Sequence, residues 1–208
     1  MAARFITLEG GEGAGKSTNT KLLSAALTAR GLGNIVTREP GGSDGAEIIR
    51  KLLVEGDPGR WDPLVETLLV FAARADHVAC TIRPALESGN WVICDRFTDS
   101  TFAYQGAGRG LDAQTIRNIE QVSIGDFRPD LTLILDVPVE EALERIGARK
   151  HAETRFEKFD RTFHERLRGY FQALAQREPE RCLLIDGTAP QDQVATRIWS
   201  VVAERFKL

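Results

Sequence analysis

The run Gly10-Gly11-Glu12-Gly13-Ala14-Gly15-Lys16-Ser17 constrains this chain more than any other stretch. It fits G-x-x-x-x-G-K-[ST], a loop that cradles phosphates when it lies between a strand and a helix. Both flanks agree. Arg4-Phe5-Ile6-Thr7-Leu8-Glu9 is apolar and β-branched, as a buried strand is, and Leu22, Leu23, Ala26 and Leu27 recur at helical spacing over Thr18 to Arg30. The glycines let successive N–H groups turn inward as an anion nest, and the helix N-terminus adds its partial positive charge. Gly10 to Thr18 are therefore expected to hold a nucleotide's phosphates. The Lys16 ammonium would reach the β- and γ-phosphates, and the Ser17 hydroxyl would ligate Mg²⁺. A Gly-rich turn capping an ordinary helix is the plainer alternative, and the flanks argue against it.

A chain of 208 residues with 42% hydrophobic and 27% charged residues suits one good-sized globular domain. We expect a single domain over residues 1–208. Net charge is −3, so no global basic field exists to hold a long nucleic acid, and the anionic ligand should be small and locally bound. Cys80, Cys94 and Cys182 have no paired spacing and read as reduced core residues. No apolar run approaches the 18 residues of a membrane span, and the first strand starts close to Met1. The expectation is a cytoplasmic protein without a signal peptide.

Apolar strands are predicted over residues 4–9, 34–37, 91–95, 131–136 and 182–186. Helical patterns fall between them, over about 17–30, 44–55, 63–88, 112–125, 139–149, 156–176 and 190–206. Such alternation means an α/β fold, a five-stranded parallel sheet with helices on both faces. Ligands on such sheets bind beyond the carboxyl ends of the strands, which tells where to look.

After the second strand comes Thr37-Arg38-Glu39-Pro40-Gly41-Gly42-Ser43, a tight loop whose Arg38-Glu39 pair is not needed for turning alone. Arg50, further along the next helix, can point back to the same mouth. Arg74 falls on an apolar helical face one turn from Phe71. It either pairs with Asp76 or Glu66, or forms with an aromatic ring the floor of a pocket for a planar base. Pro84 implies a kink or break near the end of that helix. Trp91-Val92-Ile93-Cys94-Asp95 is an apolar strand ending in an aspartate able to orient Mg²⁺, and Arg96 can grip a phosphoryl oxygen bidentately. Ser100-Thr101-Phe102-Ala103-Tyr104-Gln105-Gly106 mixes aromatic and hydrogen-bonding groups, as a base-reading wall does, or else is a loop and capped helix start. From Arg145 to Arg168 the chain is densely charged. Most of these residues read as solvated helix faces. Residues 145–160 also suit a helical lid that excludes water, with Arg149 and Arg155 flanking its least regular part.

Taken together these motifs resemble bacterial thymidylate kinase nearly end to end. The residues that carry the likeness are Leu8 to Thr18, Thr37 to Gly42, Phe71-Ala72-Ala73-Arg74, Asp95-Arg96-Phe97, and Ser100-Thr101 with Ala103 to Gly106. The resemblance implies a P-loop NTPase fold, a homodimer, and ATP- and Mg²⁺-dependent phosphorylation of dTMP to dTDP. It implies that Arg96 grips the dTMP phosphate with Arg38 and Arg50 nearby, beside Glu39 and Pro40. It further implies that Phe71 stacks on thymine and that Arg74 bonds its O4. Ser100, Thr101, Tyr104 and Gln105 would line base and sugar, and Glu12 would sit near the 3′-hydroxyl. The loop itself holds no arginine at positions 11 to 14, so the family's catalytic arginine would come from the lid, as Arg149 or Arg155. Two positions depart from the family pattern. Val70 stands four residues before Arg74, where an aromatic is expected, and Thr154 stands where an acidic residue precedes Arg155-Phe156-Glu157.

The expected chemistry is in-line attack by a dTMP phosphate oxygen on the γ-phosphorus, with Lys16, Arg96, Mg²⁺ and the lid arginines neutralising charge. Two rivals are a kinase of another acceptor and a nucleotide switch with no acceptor. The partners expected are therefore small molecules, with no nucleic acid and no membrane.

Overall fold

The computed structural model describes residues 2–148 and 155–208. At its centre is a five-stranded, all-parallel sheet of β1 (Phe5–Glu9), β2 (Asn34–Arg38), β3 (Trp91–Asp95), β4 (Leu131–Asp136) and β5 (Cys182–Asp186). Their order is β2-β3-β1-β4-β5. The five strands and the parallel pairing are those the alternating pattern predicts. β1 is buried at every position because both its faces are covered, the usual fate of a central parallel strand. Period-two alternation sorts its side chains. Ile6 and Leu8 join Leu23 and Leu27 of α1 (Lys16–Ala29) in one core layer. Phe5 packs in the opposite layer with Val92 and Phe97, and Glu9 ends β1 on that second face, next to Ser100.

The remaining helices are α2 (Asp44–Val54), α3 (Pro63–His77), α4 (Arg83–Glu87), α5 (Thr98–Thr101), α6 (Ala113–Ile124), α7 (Val139–Gly147), α8 (Arg161–Arg177) and α9 (Gln191–Phe206). Asp62 caps α3 by accepting from the Leu64 amide, with Pro63 at the first helical position. The helix predicted over 63–88 has three segments. A π-helical turn at Val78–Ile82 joins α3 to α4 in one continuous helical run, and Pro84, which cannot donate, sits directly after that wider turn. The helix predicted from 156 begins only at Arg161, where the Asp160 carboxylate accepts from the Phe163 amide. The stretch expected to be a base-reading wall, or a loop and capped helix start, is helical: α5 runs into a π-helical turn at Phe102–Gly108. Cys94 and Cys182 are buried free thiols as expected, whereas Cys80 is exposed.

Candidate active site

The carboxyl ends of β1, β2 and β3 open into a cleft of about 600 Å³, large enough for a nucleotide. Its phosphate end is built by the loop between β1 and α1. Gly10 and Gly13 have φ of 129° and 75°, and a Cβ on either would lie within 2.5 Å of a backbone carbonyl oxygen, of Leu135 and Ala142 respectively. Only glycine fits both the backbone angle and the space. Lys16 is buried, its ammonium donating to the carbonyls of Gly11 (2.7 Å) and Gly10 (3.2 Å). Burial, and then the neighbouring Arg96 charge, lower its pKa to about 8. Ser17 Oγ donates to Asp95 Oδ2 at 2.6 Å, so the two oxygen ligands predicted for a metal already lie side by side.

Arg96 follows β3 with φ at 71°, a left-handed backbone that costs a non-glycine residue about 1 kcal/mol or more. The turn aims its guanidinium back under the loop. Nη1 donates to Gly10 O (2.9 Å) and Ser100 Oγ (3.3 Å), and Nη2 donates to Glu12 Oε1 (2.9 Å). Glu12 also accepts from the Tyr104 hydroxyl at 3.0 Å. Burial alone would raise the pKa of Glu12, but the charges of Arg96 and Lys16 and the Tyr104 hydroxyl outweigh it and hold it at about 2. Arg38 and Arg50 line the same cleft. Arg38 Nη2 donates to both carboxylate oxygens of Glu47 (2.9 and 3.0 Å), and Arg50 Nη1 donates to Pro40 O at 2.6 Å. The four predicted phosphate-binding cations, Lys16, Arg38, Arg50 and Arg96, thus share one cleft.

Arg74 is buried, but its partner is neither Asp76 nor Glu66. Its Nε donates to Glu39 Oε2 at 2.7 Å, while the second Glu39 oxygen meets His77 Nδ1 at 3.1 Å. Sequence distance hid this pair. Arg74 lines the cleft, and its Nη1 is buried with no partner among the described residues, as is the Thr101 hydroxyl. Buried polar atoms ordinarily have a partner, so these two stand out among the residues that line the cleft. Ser100, Thr101, Tyr104 and Gln105 all line the cleft, because the α5–π segment presents them on one side.

Two expected contacts are corrected. Phe71 does not line the cleft. One position after Val70 turns it about 100° round the helix, into the core, where the Arg74 guanidinium lies 4.7 Å over its ring. Val70 lines the cleft instead. Arg155 does not line the cleft either. It is fully buried, its Nε and Nη1 donating to the carbonyls of Leu53 (2.9 Å) and Pro58 (3.0 Å), and its Nη2 paired with Glu66. Arg149 and the stretch 150–154 lie outside the described residues. The other charged side chains of this region include Arg161, paired with Glu140 and Glu165, and Arg168, paired with Asp136.

Sequence reasoning missed Glu9 as a functional group. It is wholly buried at the end of β1, where its oxygens accept from the Phe97 amide (2.7 Å) and Ser100 Oγ (2.5 Å), fixing the start of α5. Burial first, and the Asp99 charge second, raise its pKa from 4.5 to about 7. Ionised Glu9 therefore costs stability, fully above pH 7 and not at all below 4.5. Its share is about 3 kcal/mol. Glu9→Gln is expected to be more favourable to stability at pH 8 than at pH 4.5 by about that difference. Urea unfolding at the two pH values measures it, and parallel curves for variant and wild type would contradict it.

The family model described as Thymidylate kinase matches residues 8–198. A thymidylate kinase of Rhizorhabdus wittichii is 51% identical over 205 residues, covering 98% of this chain and 99% of the relative. One of Caulobacter vibrioides is 52% identical over 204 residues, 98% of either chain. The crystal structure of thymidylate kinase from Ehrlichia chaffeensis superposes with a TM-score of 0.77 at 34% identity, covering 97% of this chain and 99% of that one. With its P-loop NTPase fold, its phosphate loop and this end-to-end likeness, the chain belongs to the thymidylate kinase family, phosphotransferases that phosphorylate dTMP using ATP.

Proposed function

We propose that this enzyme transfers the γ-phosphoryl group of ATP to the 5′-phosphate of dTMP, giving dTDP, within the cleft at the carboxyl ends of β1, β2 and β3. The observation that carries this reading is the lining of the cleft. Lys16, Arg38, Arg50 and Arg96 line it together with Arg74 and Thr101, whose Nη1 and hydroxyl have no partner among the described residues. ATP would seat its β- and γ-phosphates on the loop amides and Lys16. The dTMP phosphate would sit between Arg96, Arg38 and Arg50, where Arg74 can donate to a base carbonyl. The nucleophile is already an anion, so no general base is needed. Catalysis then rests on holding two phosphates in line and neutralising their charge. Glu12, ionised at neutral pH, orients Arg96 and Tyr104 and faces the sugar.

Ser17 and Asp95 fit Mg²⁺, a hard cation that prefers oxygen ligands and keeps several waters. The ion, when bound, supplies further neutralisation of the β- and γ-phosphates. With Arg155 buried, the lid-arginine role falls to Arg149 in this reading. The domain is taken as single, with residues 145–160 as its lid. No described helix is long and apolar enough to cross a membrane, in keeping with a cytoplasmic enzyme. α2 and α3 pack together and leave Ile48, Leu52, Leu64, Val65 and Leu68 exposed, an apolar face that a second copy would cover in a homodimer. The test of the reaction is dTMP-dependent release of ADP from Mg·ATP.

A further inference from the structure

Glu66 is a buried carboxylate in the first turn of α3 that the phosphoryl-transfer chemistry does not use. Oε1 accepts from Gln105 Nε2 at 2.7 Å. Oε2 accepts from Arg109 Nη1 at 2.9 Å and is paired with Arg155 Nη2. Each partner leads to a different piece of chain. Gln105 is a wall of the cleft. Arg109 also donates to Trp61 O at 2.6 Å, closing the turn before α3. Arg155 is fastened to the end of α2 through the Leu53 carbonyl and, by its own amide, the Val54 carbonyl at 3.0 Å.

We propose that Glu66 is a positioning residue for the acceptor nucleotide, setting the orientation of Gln105 directly and the placement of Phe156 through Arg155. The first half follows from hydrogen-bond chemistry. An ionised carboxylate accepts only, so it takes the NH₂ end of the Gln105 amide and turns the carbonyl oxygen to the other side. A glutamine facing the cleft is thereby committed to accept from a donor on the nucleotide. The second half follows from chain continuity. Arg155, with its guanidinium and its backbone amide both fixed, leaves little freedom to the next residue. Phe156 lines the cleft and meets Tyr104 edge-on, ring centroids 5.5 Å apart. Val54, whose carbonyl holds Arg155, lines the cleft too. One carboxylate thus sets walls contributed by three segments far apart in sequence. This inference rests on the acceptor reading of the cleft proposed above.

Glu66→Gln tests it, because an amide in place of the carboxylate lets Gln105 turn either way. The expected result is a dTMP KM raised about tenfold with the ATP KM within about twofold of wild type. That corresponds to one hydrogen bond lost on one substrate alone. Gln105→Met should give a similar rise, and in the double variant the two losses should not multiply. An unchanged dTMP KM in Glu66→Gln, an equal rise in both KM values, or losses that multiply would overturn the proposal. Should Glu66→Gln fail to fold, Arg155→Lys decides, since it keeps the charge but not the fork between carbonyls. A selective rise of at least about threefold in dTMP KM supports the proposal, and wild-type KM values defeat it. Wild-type enzyme measured alongside separates the two levels. If it shows no dTMP-dependent turnover, the acceptor reading itself falls and takes the proposal with it.

Discussion

Lys16→Ala is expected to keep its fold and lose about a thousandfold in turnover. The loss follows from removing the one cation seated inside the phosphate loop. A preorganised charge aimed at the transferring phosphoryl group is worth roughly 10²–10³ in rate or more. The fold should survive because the loop is shaped by glycines and not by the lysine. Stability should even gain. The pKa of Lys16 is lowered from 10.5 to about 8, so its charged form is penalised in the folded state. That penalty, about 3 kcal/mol, is fully present below pH 8 and vanishes above 10.5. The variant loses the penalty together with two hydrogen bonds to loop carbonyls. Circular-dichroism melts and steady-state kinetics at pH 7.5 check both halves. Near-normal turnover would remove Lys16 from the transition state, and a collapsed melt would show that the ammonium holds the loop together.

Arg74→Met is expected to damage stability and recognition together. The Arg74 and Glu39 side chains are only 1% and 4% exposed. The arginine is sandwiched near Phe71 and Phe97, its guanidinium carbon 4.7 and 5.2 Å from their ring centres. Methionine fills much of the volume but leaves the Glu39 carboxylate facing His77 alone. Breaking a buried pair from one side costs about 3–5 kcal/mol. For a chain of this size that is a fall in Tm on the order of 10 °C. Recognition suffers because the buried Nη1 is the donor proposed for the base carbonyl. Losing a charged donor weakens binding by about 10- to 100-fold. The dTMP KM should rise by that factor while the ATP KM changes little. An unchanged dTMP KM would remove Arg74 from the acceptor pocket, and an unchanged Tm would mean that the pair contributes no net stability.

The parts of the site that sequence revealed are those fixed by local backbone. The phosphate loop, the aspartate ending β3 and the arginine after it need only a strand, a turn and a helix to be placed, and all three are legible within a few residues. Side chains whose role depends on helix phase or on distant partners were not. Phe71 and Val70 are neighbours in sequence, yet the helix turns one into the core and the other into the cleft. Arg155 reads as a lid cation because its surroundings in sequence are charged and irregular. Its actual partner, Glu66, is 89 residues away. Glu9 carries a similar lesson. A carboxylate ending a fully buried strand must have found donors, and that was the available signal. The donors, the Phe97 amide just before α5 and the Ser100 hydroxyl within it, lie 88 and 91 residues away.

The fold was read further than the site because five apolar runs separated by helical patterns leave few alternatives to a parallel sheet. Element boundaries slipped where capping chemistry, not periodicity, decides. α8 starts at Arg161 because Asp160 caps it, although helical spacing continues upstream.

The most direct test of the account is ADP release from Mg·ATP by the wild-type chain with each nucleoside monophosphate in turn. Arg74 and Thr101 lining one cleft with four further cations, proposed above as a dTMP pocket, predict stimulation by dTMP far above that by any purine monophosphate or by dCMP. Equal stimulation by all of them, or ADP release indifferent to any acceptor, would leave the phosphate loop standing and contradict the assignment of the acceptor.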